Sequence, residues 1–422
     1  MKLKSEKSDL KGQARIPASK SHTIRALIIA ALAEGESTLL NPLTSGDTKS
    51  CCKVCEAFGA EIQYFDDKWL VKGAGGNPKK TKGIIDVGNS GTTLYIALSV
   101  AGLGNSAYEF TGDYQIQRRP AMPLLNSLND LGAKAVSVKG NGCAPITVRG
   151  PVKGGKTTIE CPTSQYLSSL LLSCPLAKGD SEIIVPLLNE QPYVEITLDW
   201  LERQGINYQN ENFKKFFIPG NQSYKSFSRE IPGDFSSATF FLVAAAITNS
   251  EVTLLGLDMA DSQGDKAVLE MLKKMGAKIK TGKNFVRVCG GKLNGAELDL
   301  NSTPDAIPAM AVAGCFAKGQ TRLLNVPQAR EKETDRIAVM CNELKKLGAD
   351  VEELPDGLVI NYSKLKGGEV QGHDDHRVVM AMAVAGLRSE TPVVVNSAEA
   401  MRITFPNFVE LMNSLGANCK LL

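Results

Sequence analysis

The 422-residue chain lacks any apolar run that could cross a bilayer. Its longest such stretches, Phe240–Ile247 and Val378–Leu387, fall well short of the roughly 20 residues that a span needs. It also lacks a charge excess: 48 lysines and arginines against 45 aspartates and glutamates leave a formal net charge of +3. A general binder of nucleic acid or of a membrane surface needs a large basic excess, so neither is expected as a partner. Met1 to Ile16 are polar and charged with no apolar centre, so they read neither as a secretory signal nor as a transit peptide. The expected location is the cytoplasm.

Metal-binding spacing is missing too. Cys52 and Cys55 form a CxxC beside Cys51, but no second pair follows at zinc-ribbon spacing. Cys143, Cys161, Cys174, Cys289, Cys315, Cys341 and Cys419 are scattered among apolar neighbours, the setting of small buried hydrophobes. Without a secretory signal a disulfide framework is not expected. The composition, 43% hydrophobic and 22% charged, is that of a globular protein, and the length calls for two or three domains.

What the chain does have is a repeat. An amphipathic helix-like stretch runs into a glycine turn and then a short strand, six times. The turns are Phe58-Gly59-Ala60, Leu131-Gly132-Ala133, Gln204-Gly205-Ile206, Met275-Gly276-Ala277, Leu347-Gly348-Ala349 and Leu415-Gly416-Ala417, of which the third keeps only its glycine. Each glycine is expected to end a helix, because it takes the left-handed conformation without a Cβ clash. The spacing of about 70 residues is too long for a solenoid unit and suits a small βαβ-type subdomain with several strands and two helices. Six units imply two domains of three. The border is expected near the polar stretch Asn207–Glu230, which gives one domain of residues 18–229. Met1–Pro17 is short of a complete unit, so it is grouped with 230–422 as a discontinuous second domain.

Several motifs place anion-seeking residues where helices begin. Lys20 and Ser21, in Pro17-Ala18-Ser19-Lys20-Ser21, precede an apolar helix whose first turn is followed by Arg25. Exposed N–H groups and the dipole at such a start attract anions. Gly88-Asn89-Ser90-Gly91-Thr92 opens another apolar helix, and lacks the lysine that a Walker loop requires. Arg118-Arg119-Pro120 reads as two cations just ahead of a proline-started helix, and Thr163-Ser164-Gln165 as polar groups before Leu167–Leu172. Asp305 begins the apolar helix Ile307–Phe316. The run Arg330-Glu331-Lys332-Glu333-Thr334-Asp335-Arg336 is expected to open a helix with Lys332 and Arg336 on one face. His373-Asp374-Asp375-His376-Arg377 precedes Val378–Leu387; its histidines and carboxylates suggest a metal, but the adjacent arginine would repel one. Each motif alone is explained as a cap or a solvated charge run. Together they suit substrates that carry several phosphates and carboxylates.

These segments, in this order and spacing, resemble the EPSP synthase family of enolpyruvyl transferases over essentially the whole chain. Lys332-Glu333-Thr334-Asp335-Arg336 with Asp375-His376-Arg377 is the most specific part, and Thr404-Phe405-Pro406 also fits. The resemblance implies an α/β fold of six βαβαββ repeats, three per domain in an inverse α/β barrel-like arrangement, with helix starts facing a cleft. It implies transfer of the enolpyruvyl group of phosphoenolpyruvate to shikimate 3-phosphate, with no metal and no organic cofactor, by a monomer. Shikimate 3-phosphate would be held by Lys20, Ser21, Arg25, Thr163, Ser164, Gln165, Asp305, Gln328 and Lys332. Phosphoenolpyruvate would be held by Lys20, Gly91, Arg119, Gln165, Arg336 and Arg377. Asp305 would take the hydroxyl proton, and Glu333 or Lys20 would protonate the methylene carbon, with His376 a further candidate. Sensitivity to glyphosate is expected with Gly91.

Four positions depart from the family pattern. Tyr95 stands where many members have an arginine, Glu190 replaces a serine, Gln328 an asparagine, and Ile403 a lysine beside Arg402. The rival with the same architecture is the transferase that acts on UDP-N-acetylglucosamine; its reactive cysteine has no counterpart in Asp113–Arg119. A phosphate cyclase of related repeats fits less well with the Lys332–Arg336 run intact, and a non-catalytic anion-binding module with Asp305, Glu333 and His376 present.

Overall fold

The computed structural model describes residues 1–79 and 83–422. The chain divides into two compact units, Met1–Ser19 with Pro232–Leu422, and Lys20–Ile231. In Lys20–Ile231 the helices are α1 (Lys20–Leu32), α2 (Gly46–Ala57), α3 (Gly91–Ala101), α4 (Met122–Asp130), α5 (Ser164–Ser173) and α6 (Gln191–Arg203). The other unit holds α7 (Phe235–Ile247), α8 (Ala267–Lys274), α9 (Ile307–Cys315), α10 (Arg336–Lys346), α11 (His376–Gly386) and α12 (Phe408–Ser414).

Among the described residues the strands form six four-stranded sheets with a single pairing scheme. In one of them Ile84–Asp86 runs parallel to Ala107–Thr111, which is antiparallel to Ile146–Arg149, itself antiparallel to Lys134–Ser137. Helix α3 supplies the crossover that a parallel pair requires, and α4 follows the second strand, so the unit reads β-α-β-α-β-β. The other sheets repeat this arrangement. Three of them are completed from a distance. Ser228–Glu230, near the end of its unit, lies parallel to Glu36–Leu40 near the beginning. The amino-terminal strand Leu3–Glu6 is inserted between Val393–Val395 and Asn418–Leu421, and Lys11–Arg15 pairs with Glu251–Leu255.

The first helix of each repeat is central and the second covers it. All residues of α7, α9 and α11 are buried, and the three pack on one another. A helix that is apolar all round must be enclosed on every side. By contrast α8 buries Val268, Leu269 and Leu272 and turns its lysines outward. Enclosure satisfies the side of a helix but not its first N–H groups, so polar residues collect at the starts of the central helices.

The six repeat glycines all have left-handed backbones, with φ of 99° at Gly59 and Gly132, 69° at Gly205, 100° at Gly276, 90° at Gly348 and 101° at Gly416. In every copy the next N–H reaches back five residues: Ala60 to Cys55, Ala133 to Leu128, Ile206 to Leu201, Ala277 to Leu272, Ala349 to Leu344 and Ala417 to Met412, at 2.9–3.1 Å. This is the Schellman closure, and it explains why the glycine survives in the third copy although the alanine does not.

The ten cysteines are free thiols, nine buried and Cys289 half-buried. Burial pushes the Cys161 thiol up to about 12 and the Cys174 thiol up to about 11. Among the described residues no helix is long and apolar enough to cross a membrane.

A Cβ at Gly205 would meet no atom within 4 Å, so its only penalty is conformational. Gly205→Ala is expected to destabilise its unit by about 1 kcal/mol and Gly205→Asn by less, because asparagine tolerates the left-handed region. Denaturant midpoints check this; an alanine variant as stable as the wild type would contradict it.

Candidate active site

In Lys20–Ile231 three central helix starts carry the predicted residues. Lys20 and Ser21 form the first turn of α1, and the Lys20 ammonium lies 3.1 Å from Asp47 in the first turn of α2. Asp47, buried, was not among the expected residues; an acidic residue in a helix's first turn is a common sequence feature and gave no distinguishing signal. Arg25 is 1% exposed. Its guanidinium donates to Ser21 O (3.0 Å), Thr197 Oγ1 (2.8 Å), Tyr193 O (2.9 Å) and Ser168 Oγ (3.2 Å). Burial brings its pKa down to about 10. Arg25 therefore ties α1 to α5 and α6 beneath Ser21.

Ser90 caps α3, accepting from Thr93 N, and Gly91 is the first helical residue. The preceding loop is fixed by Asn89, whose amide donates to Asp113 Oδ2 at 2.6 Å. Arg119 is buried, and a Cβ on Gly91 would collide with its Nη1. Pro120 does not start the helix that follows the two arginines; Pro123 stands in its first turn instead. Ile116–Arg118 is a 3-10 turn, Arg119 is extended, and α4 begins only at Met122. Arg118 is exposed, over the ring of Tyr114 at 5.2 Å, so only Arg119 joins the buried set. Tyr95 is buried, and its hydroxyl donates to Pro120 O at 2.9 Å, beside the Tyr166 hydroxyl at 2.5 Å. It thus anchors the residue next to Arg119.

Helix α5 starts at Ser164, with Thr163 before it and Gln165 after. Gln165 Oε1 is buried and accepts no hydrogen bond from any described residue. Glu190, which precedes α6, accepts from Thr163 Oγ1 (3.2 Å), Ser164 N (3.2 Å) and Ser164 Oγ (2.9 Å).

In the other unit a buried guanidinium organises the predicted residues. Arg336, 1% exposed, donates from Nε to Asp375 Oδ2 (2.8 Å), from Nη1 to Asp305 Oδ1 (2.7 Å) and from Nη2 to Glu333. Arg377 Nη2 pairs with Asp305 Oδ2 at 2.7 Å, so each oxygen of Asp305 faces a different arginine. Burial alone would lower the Arg336 pKa, but the charges of Asp375, Glu333 and Asp305 outweigh it and hold the group above the ordinary arginine range. His376 and Arg377 open α11, capped by Asp375, which accepts from Arg377 N at 2.8 Å. Gln328 is buried, donating to Asn301 O at 2.9 Å, while its Oε1 accepts from no described residue. Ile403 closes a 3-10 turn next to Arg402, which is exposed.

The charged run does not form one helix. Pro327–Glu331 is a 3-10 turn, Lys332 is extended and half-buried, and α10 starts at Arg336. Lys332 and Arg336 therefore share no helix face. Asp335 decides the boundary: its carboxylate accepts from Ala338 N at 3.0 Å, and an aspartate N-cap sets the start of a helix. Two residues that sequence reasoning left out of the site support it. Asp375 is the acceptor that fixes Arg336. Glu343 accepts from Gln371 N (3.0 Å), lies 2.7 Å from His373 Nε2 and pairs with Lys346 (2.8 Å). It holds the loop in which His373 and Asp374 have left-handed backbones just before Asp375.

In each unit, buried helices offer cations or hydroxyls at their starts, groups of a kind suited to small polyanions. Residues 4–412 match the family described as EPSP synthase (3-phosphoshikimate 1-carboxyvinyltransferase). A 3-phosphoshikimate 1-carboxyvinyltransferase of Acetivibrio thermocellus is 55% identical over 418 residues, 99% of each chain. One of Ruminiclostridium cellulolyticum is 54% identical over 422 residues, all of both chains. An EPSP synthase structure from Acinetobacter baumannii superposes with a TM-score of 0.83 at 26% identity, covering all of both chains. The chain belongs to the EPSP synthase family.

Because a methyl at Gly91 has no room beside Arg119, Gly91→Ala is expected to push that guanidinium aside. A shift of about 1 Å can cost on the order of a hundredfold in rate. The expected readout is a raised KM for phosphoenolpyruvate, which Arg119 is expected to contact; an unchanged KM would mean Arg119 is not a substrate contact.

Proposed function

We propose that the protein transfers the carboxyvinyl group of phosphoenolpyruvate to the 5-hydroxyl of shikimate 3-phosphate, releasing phosphate, in the biosynthesis of aromatic amino acids. The observation that carries the assignment of roles is Asp305, with one arginine on each of its oxygens. Lys20, Ser21, Arg25, Thr163, Ser164, Gln165, Gln328 and Lys332 bind shikimate 3-phosphate. Lys20, Gly91, Arg119, Gln165, Arg336 and Arg377 bind phosphoenolpyruvate. The buried Oε1 atoms of Gln165 and Gln328, which accept from no described residue, support a ligand-binding role, since such acceptors normally have a partner.

The 5-hydroxyl oxygen bonds to C2 of the enol while its proton passes to Asp305. C3 takes a proton from Glu333, with Lys20 the other donor to consider, giving a tetrahedral intermediate. Phosphate then leaves from C2 as C3 loses a proton, which restores the double bond. The enol and the hydroxyl supply all the electrons, so no metal or organic cofactor is needed. Acid and base act on opposite sides of the new bond. Positive charge developing at C2 is favoured by the carboxylates, and the departing phosphate by the fixed cations. The arriving phosphoenolpyruvate exchanges for Asp305 on Arg336 and Arg377, which frees the carboxylate to act as a base only when that substrate is present.

The relatives named as 3-phosphoshikimate 1-carboxyvinyltransferases disfavour UDP-N-acetylglucosamine as the acceptor. Glyphosate inhibition follows from the same phosphoenolpyruvate site, with Gly91 leaving it room.

The test is Asp305→Asn, which keeps the shape and one acceptor oxygen for the arginines. Turnover is expected to fall by about 10²- to 10⁴-fold, the usual worth of a general base, with the protein still folded. A folded variant that keeps most of its turnover would remove Asp305 from the role.

A further inference from the structure

Glu190 takes no part in the proposed reaction, yet its carboxylate sits on two residues that do. It is 2% exposed, with φ of 58°, a left-handed conformation that residues with a Cβ seldom adopt. It occupies the N-cap position of α6, but its side chain makes no capping bond to that helix. The side chain turns to the start of α5, where Oε2 takes the hydroxyls of Thr163 and Ser164 and the Ser164 N–H. Thr163 makes no side-chain capping bond to α5. The anion at the start of α5 is thus supplied by another element.

We propose that Glu190 is an internal stand-in for the acceptor's phosphate, and that its displacement from Thr163 and Ser164 sets affinity and selectivity for a phosphorylated acceptor. This rests on the reading that Thr163 and Ser164 hold that phosphate. Two hydroxyls and a helix-start N–H are donors for any oxyanion. A carboxylate and a phosphate cannot share them, since two buried like charges on one donor set repel. Shikimate 3-phosphate must therefore turn the carboxylate out before it can seat. The cost falls on binding of the phosphorylated acceptor and spares phosphoenolpyruvate, whose proposed holders include neither Thr163 nor Ser164. An acceptor without phosphate has no need of the exchange, so Glu190 narrows the preference between the two.

The experiment is calorimetric titration of the whole protein and of Glu190→Ser and Glu190→Gln with shikimate 3-phosphate and, separately, shikimate. Glu190→Ser is expected to bind shikimate 3-phosphate roughly tenfold more tightly, which is about 1.4 kcal/mol. Glu190→Gln gains less, shikimate binding does not change, and the KM for phosphoenolpyruvate does not move. Weaker or unchanged binding of shikimate 3-phosphate by the folded variants overturns the proposal and leaves Glu190 as a cap for α5. Should Glu190→Ser fail to fold, Glu190→Gln carries the test, because it keeps the shape and one acceptor oxygen. Ser164→Ala distinguishes the two levels of the argument. If it leaves the wild-type affinity for shikimate 3-phosphate intact, the phosphate is not held at α5, and the site reading falls along with the proposal.

Discussion

Arg336 is a cation that almost no water reaches, and Asp305, Glu333 and Asp375 are arranged around it. Its guanidinium meets Asp375 through Nε and Nη2, Asp305 through Nη1 and Glu333 through Nη2. Removing one partner from a buried ion pair strands the other, typically at a cost of about 3–5 kcal/mol. The three carboxylates are consequently held in place by the same group that needs them. They come from three segments: the 3-10 turn before α9, the loop before α10 and the cap of α11. One buried charge thus fixes the mutual position of two helix starts and the proposed base. Arg377 adds a second cation on Asp305 and leaves the cluster with more carboxylate than guanidinium among these five groups.

The fold creates the demand that this cluster meets. A helix with every side chain buried hides its sides in apolar contact but still presents unpaired N–H groups at its start. Asp234 and Asp375 cap α7 and α11 in this way, and Ser90 caps α3. Where the cap is a neighbour's side chain, as Glu190 is for Ser164, the same donors could serve a substrate anion. Repeating one unit six times therefore yields six polar central-helix starts, and the candidate residues Lys20, Gly91, Ser164, Asp305 and Arg377 stand at or just before five of them.

Much of this was legible in the residues because it depends on local rules. The glycine at each repeat is required by its own backbone angle, so its spacing revealed the repeat even where the alanine was lost at Ile206. The apolar stretches after Lys20, Gly91, Ser164 and Asp305 announced central helices, and they are buried on all sides. What stayed hidden depended on contacts distant in sequence. Asp47 meets Lys20 only because α1 and α2 pack together, and Tyr95 reaches Pro120 across 25 residues. The start of α10 differs from the expected one because the Asp335 cap, and not the charge periodicity, sets it. Arg119 and Arg118 looked equivalent, but a 3-10 turn between strand and helix sends one inward and the other to solvent.

The most direct test of the function is phosphate release by the purified protein given phosphoenolpyruvate with either shikimate 3-phosphate or UDP-N-acetylglucosamine, in the presence of a chelator. Release with shikimate 3-phosphate alone is expected, at a rate that added metal does not change. Release with UDP-N-acetylglucosamine instead, or with neither acceptor from folded protein, would contradict the assignment and point to an acceptor altered at Glu190 and Tyr95.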